Sequence, residues 1–336
     1  MADAGEILVV GDGGWGTAIA NVLSDNGSPV VMWSHDQDYA AEMAQGRENR
    51  KFLPGIKLHD SLVVTADPAR AFERANMVIA VAPSKFLRVV LKRLKSNYNG
   101  APVLSAAKGI EVETLSTCTG IINQEWSPST VAAISGPSHA EEVGRRLPAT
   151  VVVAGADIEF IREVQSRFSN RYFRVYTSPD IVGVEFGGAV KNVIAIAAGI
   201  CDGLKLGDNA KSALITRGIM EIRRLGVSMG ARPDTFFGLS GMGDLITTCI
   251  SPYGRNRRVG EMLAMGKTLA EVEASTEMVA EGVQTTKAVV GLARKRGITM
   301  PISEEVFRIL FEGKSPVNGV RDLMTRALKS EAETFE

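Results

Sequence analysis

Ile7-Leu8-Val9-Val10-Gly11-Asp12-Gly13-Gly14-Trp15-Gly16-Thr17-Ala18-Ile19-Ala20-Asn21-Val22-Leu23 is the stretch whose reading decides the fold. Four apolar residues form a buried-strand signal, a glycine-rich turn follows, and Thr17 to Leu23 continues as a helical run. Gly11, Gly13 and Gly16 make a G-x-G-x-x-G pattern in its strand-to-helix setting. Glycine is needed three times: Gly11 for a tight turn, Gly13 for close backbone approach to a pyrophosphate, and Gly16 for tight packing of helix on strand. The amides that open the helix face the phosphates, where the helix dipole also favours negative charge. The bland alternative is a glycine turn with no ligand. A second apolar run, Pro29 to Trp33, follows at βαβ spacing and argues for dinucleotide binding instead.

Outward from that unit, short apolar runs recur at Leu62–Thr65, Met77–Val81, Pro102–Ser105, Thr130–Ile134, Thr150–Ala154 and Phe173–Thr177. Helix-length segments such as Asp38–Ala44, Ser84–Leu94 and Asp157–Phe168 separate several of them, whereas Gly46–Ser61 reads as loop. Alternating strand and helix predicts a mostly parallel, doubly wound sheet covered on both faces. Ligands of such a sheet bind at the carboxyl ends of its strands, which directs attention to residues 82–85, 106–109 and 135–138.

Beyond Ser178 the pattern changes to helical periodicity alone: Val182–Ile200, Ala210–Met229, Arg257–Met265, Glu281–Arg296, Ser303–Glu312 and Val317–Leu328. The fold class is therefore α/β plus all-α. Residues 1–178 are expected to form a Rossmann-type dinucleotide-binding domain and residues 179–336 an all-helical substrate domain, with Asp180 placed to cap the first helix of the second.

Composition narrows the function classes. A chain of 336 residues exceeds one ordinary core. The 38 basic and 38 acidic side chains cancel, which gives no pull toward nucleic acid. Cys118, Cys201 and Cys249 are odd in number and far apart, which argues against a disulfide framework and against a metal site, and suits a reducing cytoplasm. No basic leader precedes the first strand, and the most apolar stretch, Val193–Ile200, spans only eight residues, so stable membrane insertion is not expected. Gly266-Lys267-Thr268 and Gly313-Lys314-Ser315 are not P-loops, because Glu261 and Arg308 stand where the first glycine is required. No nucleophile elbow or H-E-x-x-H occurs, which leaves the hard chemistry to a bound nicotinamide or flavin.

For the proton, Lys191 is the leading candidate. It is the only charged residue between Glu185 and Asp202 in a helix that is otherwise apolar or small all round. Burial lowers a lysine pKa toward the range useful in acid–base work; a lysine that reaches solvent or pairs silently with a carboxylate is the alternative. Lys108 follows a strand and is the second candidate. Asp244 sits among glycines, as a helix cap would. Arg255-Asn256-Arg257-Arg258 opens a helix with forked guanidinium groups that suit a phosphate, or else forms a solvated basic face.

Taken together, Gly11–Ala18, Ala107-Lys108-Gly109, Ser135-Gly136-Pro137-Ser138, Gly187–Asn192, Gly241–Leu245, Arg255-Asn256-Arg257 and Val279–Gly282 resemble the bacterial NAD(P)-dependent sn-glycerol-3-phosphate dehydrogenases, in order and from end to end. The resemblance implies reversible reduction of dihydroxyacetone phosphate, a phosphorylated triose, for phospholipid synthesis, with NADP(H) and NAD(H) as cofactors. It implies Lys191 as the proton carrier and Lys108 beside the substrate. Asp244 holds a substrate hydroxyl or orients Lys191, Gly136 and Ser138 line the pocket, and Gly254, Arg255 and Asn256 lie on the substrate phosphate. Gly14, Trp15, His35, Ala140, Val279 and Glu281 fall on the cofactor, with Lys108 and Arg255 bordering both ligands. Asp12 stands where the pattern usually has a small neutral residue, and an acid beside a pyrophosphate is unfavourable unless its side chain turns away. Gly14 and Gly254 stand where many relatives have serine. The second strand ends in Trp33-Ser34-His35-Asp36: Ser34 cannot repel a 2'-phosphate and His35 can accept one, so NADPH is the expected better cofactor. A homodimer is expected from the size and helical content of the second half. A hydroxyacid or sugar-acid dehydrogenase of the same plan, or a non-catalytic dinucleotide sensor, are the rival readings.

Overall fold

In the computed structural model, residues 5–275, 279–328, 330 and 331 are described. All eight apolar runs are strands: β1 (Glu6–Val10), β2 (Val30–Trp33), β3 (Val63–Thr65), β4 (Ala75–Ala80), β5 (Val103–Ser105), β6 (Val131–Ser135), β7 (Ala149–Gly155) and β8 (Phe173–Ser178). They form one sheet in the order β3-β2-β1-β4-β5-β6-β7-β8. Every pairing is parallel except β6 with β7. β1 and β2 are buried along their whole length, which is why they read as continuous apolar runs rather than alternating ones.

The helices of this half are α1 (Gly14–Asp25), α2 (Gln37–Gly46), α3 (Pro68–Phe72), α4 (Ser84–Leu94), α5 (Cys118–Trp126), α6 (Ala140–Gly144) and α7 (Ile158–Phe168). Apolar side chains of α1 and α7 pack on one face of the sheet, and those of α3, α4 and α5 on the other. The strand order reverses between β1 and β4, so the turns after Val10 and Ala80 open on the same crevice. The link from β6 to β7 holds only α6 and does not run back along the sheet, so β7 enters antiparallel and residues 136–140 stay at its carboxyl edge.

The helical half comprises α8 (Ile181–Gly203), α9 (Gly207–Ser228), α10 (Asp244–Ile250), α11 (Arg255–Ala264), α12 (Leu269–Ala274), α13 (Glu281–Arg296), α14 (Pro301–Phe311) and α15 (Pro316–Met324). Asp180 caps α8 by accepting from the Gly183 amide at 2.9 Å, and its other oxygen takes the Thr235 hydroxyl at 2.6 Å. α8 is the axis of this half. Its Val184 packs on Ala133, Val152 and Ala154 of the sheet, and the rest of it lies in the helical core. Val193–Ile200 is thus part of a 23-residue helix long and apolar enough to cross a membrane, but 83% of its apolar window is buried inside the protein. α10, α12 and the irregular turns at Pro233–Phe237 and Leu239–Gly243 lack a periodic signal in the sequence, since each spans only five to seven residues, too few to show a helical period.

Candidate active site

The glycine turn has the geometry its sequence demands. Gly11 adopts φ +122°, a value that other residues avoid. A Cβ on Gly16 would come within 2.3 Å of the Gly11 carbonyl, so α1 could not start where it does with any other residue there. At Gly13 an added Cβ meets nothing within 4 Å: the backbone there is open, as an approaching pyrophosphate requires. The amides that open α1 have no side-chain cap and remain available to an anion. The residues present therefore fit a dinucleotide.

What surrounds this turn was not legible in the sequence. The stretch expected as loop folds over it: Asn49 is fully buried and donates to the Asp12 carbonyl at 2.6 Å and to the Thr17 hydroxyl at 2.7 Å. A Cβ at Gly14 would lie 2.6 Å from the Phe52 carbonyl of the same stretch, so glycine there answers to this cover. The Asp12 carboxylate turns toward β2 and accepts the Ser34 hydroxyl at 2.6 Å, buried at 7% exposure. That bond removes the conflict with a pyrophosphate. Trp15 lays its ring 6.4 Å from that of Phe173, which leaves its backbone on the turn. At the end of β2, His35 is exposed, and Arg93 of α4, a residue the sequence did not single out, donates to the His35 carbonyl at 3.3 Å. The Arg93 guanidinium lies 5.3 Å from the Trp33 ring.

The second focus is a cluster of side chains drawn from four distant parts of the chain. Asp244, 2% exposed, stands between two ammonium groups. Its Oδ2 accepts from Lys108 at 2.8 Å, and its Oδ1 accepts from Lys191 in a short ion pair. Lys191 also donates to the Thr248 hydroxyl at 2.8 Å, and Lys108 to the Gly136 carbonyl at 3.0 Å. Each lysine thus keeps one of its three N–H donors for something else. Asp244 opens α10 and is not its cap, which is Gly243. Burial pushes the Asp244 carboxyl up, but the Lys108 and Lys191 cations outweigh this and hold it below its ordinary value. Burial pulls Lys191 down to about 8, opposed by Asp244 and assisted by Lys108.

Small residues bring these groups together. A Cβ on Gly187 would be 2.6 Å from the Ser240 carbonyl, and one on Gly188 would be 2.5 Å from the Ser135 hydroxyl. The glycine pair lets α8 touch both β6 and the turn before α10, which places Lys191 one helical turn further on, against Asp244. Deeper along α8, a Cβ at Gly199 would lie 1.8 Å from the Arg257 carbonyl, so α8 and α11 meet backbone to backbone. The α11 N-terminus is set by this crossing.

At that N-terminus, Gly254 is the N-cap and Arg255 is exposed, its Nη1 donating to the Val279 carbonyl at 3.0 Å. Asn256 has a structural role beside the one expected of it at the phosphate. Its side chain is buried, donating to Asn192 at 2.9 Å and accepting from the Gly282 amide at 2.9 Å, so it clamps α8 to α13. One of its two Nδ2 hydrogens remains for a phosphate, beside its backbone amide. Glu281 ties the two halves together by accepting from the Ser84 amide, at the start of α4, at 2.9 Å. Ser138 turns its hydroxyl to the Gly136 carbonyl at 2.9 Å, and Ala140 follows as the first residue of α6. Thr248 and Asn49 also border the site and were missed, because a lone polar residue carries no sequence signal until its neighbours are known; Ser84 and Asn192 fell in stretches the sequence marked, without a role. Among the described residues no cluster of metal-ligating side chains occurs.

Comparison with known proteins bears on the same residues. Residues 6–161 match the family model described as NAD-dependent glycerol-3-phosphate dehydrogenase N-terminus, and residues 180–321 match its C-terminus. The chain is 47% identical over 332 residues to glycerol-3-phosphate dehydrogenase (NAD(P)+) of Citrifermentans bemidjiense, covering 98% of this chain and 99% of that one. It is 48% identical over 330 residues to the enzyme of the same name from Geobacillus thermodenitrificans, covering 97% and 96%. The crystal structure of glycerol-3-phosphate dehydrogenase from Coxiella burnetii is similar at a TM-score of 0.93 and 36% identity, covering 96% of this chain and 99% of that one. D-Mandelate dehydrogenase, at a TM-score of 0.62 and 13% identity over 94% of this chain and 99% of the other, shares the fold alone.

Proposed function

The chain belongs to the NAD-dependent glycerol-3-phosphate dehydrogenase family, and on that premise we propose how its own side chains carry the reaction. It is an NAD(P)-dependent oxidoreductase that reversibly reduces dihydroxyacetone phosphate to sn-glycerol 3-phosphate, which serves phospholipid synthesis. A nicotinamide bound at the glycine turn supplies the hydride in reduction and takes it in oxidation. The observation that carries the residue assignment is the single buried carboxylate of Asp244 shared by Lys108 and Lys191.

With a pKa near 8, Lys191 is protonated at neutral pH and gives its proton to the alkoxide forming on the substrate carbonyl; in oxidation it takes the proton back. Its cation, with that of Lys108, stabilises the developing negative charge in a site poor in water. Both Asp244 oxygens accept from the lysines, which supports the orienting role, and each keeps a second lone pair with which it can also hold a substrate hydroxyl. Arg255 and the free amides of the α11 N-terminus suit the phosphate, the first by forked hydrogen bonds and the second by helix polarity. On the cofactor side, His35 and Arg93 put polar and cationic groups at the end of β2, which favours a 2'-phosphate and hence NADPH over NADH.

The test is loss of reduced-nicotinamide absorbance with dihydroxyacetone phosphate, run with NADPH and NADH in parallel. Arg255→Ala is expected to raise the KM for dihydroxyacetone phosphate at least about tenfold and to change the cofactor KM far less. Equal turnover of a hydroxyacid that lacks a phosphate would overturn the substrate assignment. A cytoplasmic location is proposed with it, supported by three cysteines that are free and buried. A homodimer through the helical half is proposed on the exposed Phe237, Ile246 and Ile250 side chains, and a monomeric mass by light scattering would rule it out.

A further inference from the structure

Asp12 is an acid in the glycine turn that the mechanism above does not use. Parallel pairing sets Val10 against Trp33, and the Gly11 amide donates to the Trp33 carbonyl at 3.1 Å, so Asp12 and Ser34, which follow the two strands, lie side by side. Ser34 is fully buried and has one hydroxyl hydrogen to give. The acceptors in reach are Asp12 Oδ2 at 2.6 Å and the Asp36 carbonyl at 3.2 Å, and the shorter, charged contact takes the hydrogen. The Asp36 amide in turn donates to Ser34 Oγ at 3.2 Å. Asp12 is thus fixed beneath the turn of residues 34–36 and not beside the pyrophosphate.

Its charge is not cancelled there. The hydrogen bond comes from a neutral hydroxyl, and among the described residues no ion pair involves Asp12. At 7% exposure it is also poorly screened by water and salt. The field extends to Tyr39 in the first turn of α2: burial chiefly raises the Tyr39 phenol above its ordinary pKa, and the Asp12 charge adds to the rise.

The end of β2 is where a sheet of this kind receives the adenosine ribose, with a 2'-hydroxyl in NAD and a 2'-phosphate in NADP. On that side the Arg93 guanidinium attracts a 2'-phosphate, and two carboxylates, Asp36 and Asp12, oppose it. Asp36 is exposed, caps α2 by accepting from the Tyr39 amide at 3.0 Å, and is screened by solvent. Asp12 is not. A 2'-phosphate carries about two negative charges and a ribose hydroxyl none, so a buried carboxylate under this turn acts on one cofactor and spares the other. We propose that Asp12 is a cofactor-specificity residue, whose buried negative charge opposes Arg93, holds down the preference for NADP(H) and keeps NAD(H) usable at the same site. This rests on the reading given above that the 2'-phosphate lies by Arg93.

The experiment measures the dissociation constants of NADP+ and NAD+ by isothermal titration calorimetry on the full chain, in the wild type, Asp12→Asn, Asp12→Ala and Arg93→Ala. Asp12→Asn keeps an oxygen that accepts from Ser34 and removes only the charge. It should tighten NADP+ about five- to tenfold and leave NAD+ within about twofold. Asp12→Ala should move the ratio of the two constants by a similar factor, even where a loosened turn weakens both. Adenosine 2',5'-bisphosphate against adenosine 5'-monophosphate, which differ only in the 2'-phosphate, should show the same shift. An unchanged ratio in Asp12→Asn, or a shift in Asp12→Ala that Asp12→Asn lacks, would overturn the assignment and leave Asp12 a packing residue. Arg93→Ala separates the two levels of the argument. If it weakens NADP+ and NAD+ alike, the 2'-phosphate does not lie at this end of β2, and that reading falls with this inference. If it weakens NADP+ alone while Asp12→Asn leaves the ratio where it was, only the role of Asp12 falls.

Discussion

The glycine turn and the lysine cluster lie at the same edge of the sheet but are built on opposite principles. The turn is made of backbone, and its groups are neighbours in sequence, from Gly11 to Gly16. The cluster is made of side chains from positions 108, 191, 244 and 248 with the carbonyl of Gly136, and only Asp244 and Thr248, one turn apart on α10, are local neighbours. The turn is held by what is absent: no Cβ at Gly16, where one would sit 2.3 Å from a carbonyl. The cluster is held by charge balance in a buried place, where removing one partner strands the others. A backbone site therefore fails by steric exclusion and mostly in binding, whereas a side-chain site fails by charge and mostly in turnover.

Several changes would break or sharpen this contrast. The largest effect is expected from Lys191→Ala. It should lower kcat about 1,000-fold, while the NADPH dissociation constant measured by fluorescence stays within about threefold; more than a tenth of the activity surviving would sink the proton role. Gly16→Ala should do the converse, weakening NADPH binding by about 30-fold or more and destabilising the fold by about 1–3 kcal/mol through overpacking. Normal cofactor affinity and melting temperature in that variant would falsify the steric account of the turn.

Asp244→Asn sharpens the electrostatic side. With Lys191 near 8, the rate of reduction should fall as pH rises through about 8, and the rate of oxidation should rise over the same range, because the two directions need opposite protonation states. Loss of the carboxylate that holds the proton on Lys191 should move both limbs to lower pH. A pH profile unchanged by Asp244→Asn would mean that another group titrates. The smallest effect is expected at the far end of the cofactor: Arg93→Ala should raise the NADPH KM about tenfold and leave the NADH KM nearly unchanged. Equal changes for both cofactors would remove Arg93 from any role at the 2'-phosphate.

Particular residues show how much of this was readable in advance. Every strand was: the central ones because burial on both faces leaves an uninterrupted apolar run, and the edge strand β8 because Phe173 and Val175 alternate with exposed residues. Lys191 was readable as a solitary charge in an apolar helix. Asn256 was readable only as a neighbour of Arg255; the close crossing of α8 and α11 also sets its amide between Asn192 and Gly282, a bracing role that the sequence did not show. Residues 46–61 read as loop because no periodic pattern runs through them: their order comes from the Asn49 amide, which bonds other segments, and from Leu53, Ile56 and Leu58 in the core. Asp12 looked like an obstacle until Ser34, more than twenty residues away, was found to hold its carboxylate.

The sequence by itself determined the strand–turn–helix unit, the doubly wound sheet, the change to helices after Ser178 and the identities of the charged groups. These follow from periodicity and from steric limits that act within a few residues. Only the tertiary structure decided that one carboxylate serves both lysines, that Asn256 clamps helices, and that Asn49 closes over the glycine turn. Those outcomes depend on how closely α8, α10 and α11 approach, and a hydrogen bond or a pKa responds to distances of a few ångströms between segments that the chain order leaves far apart.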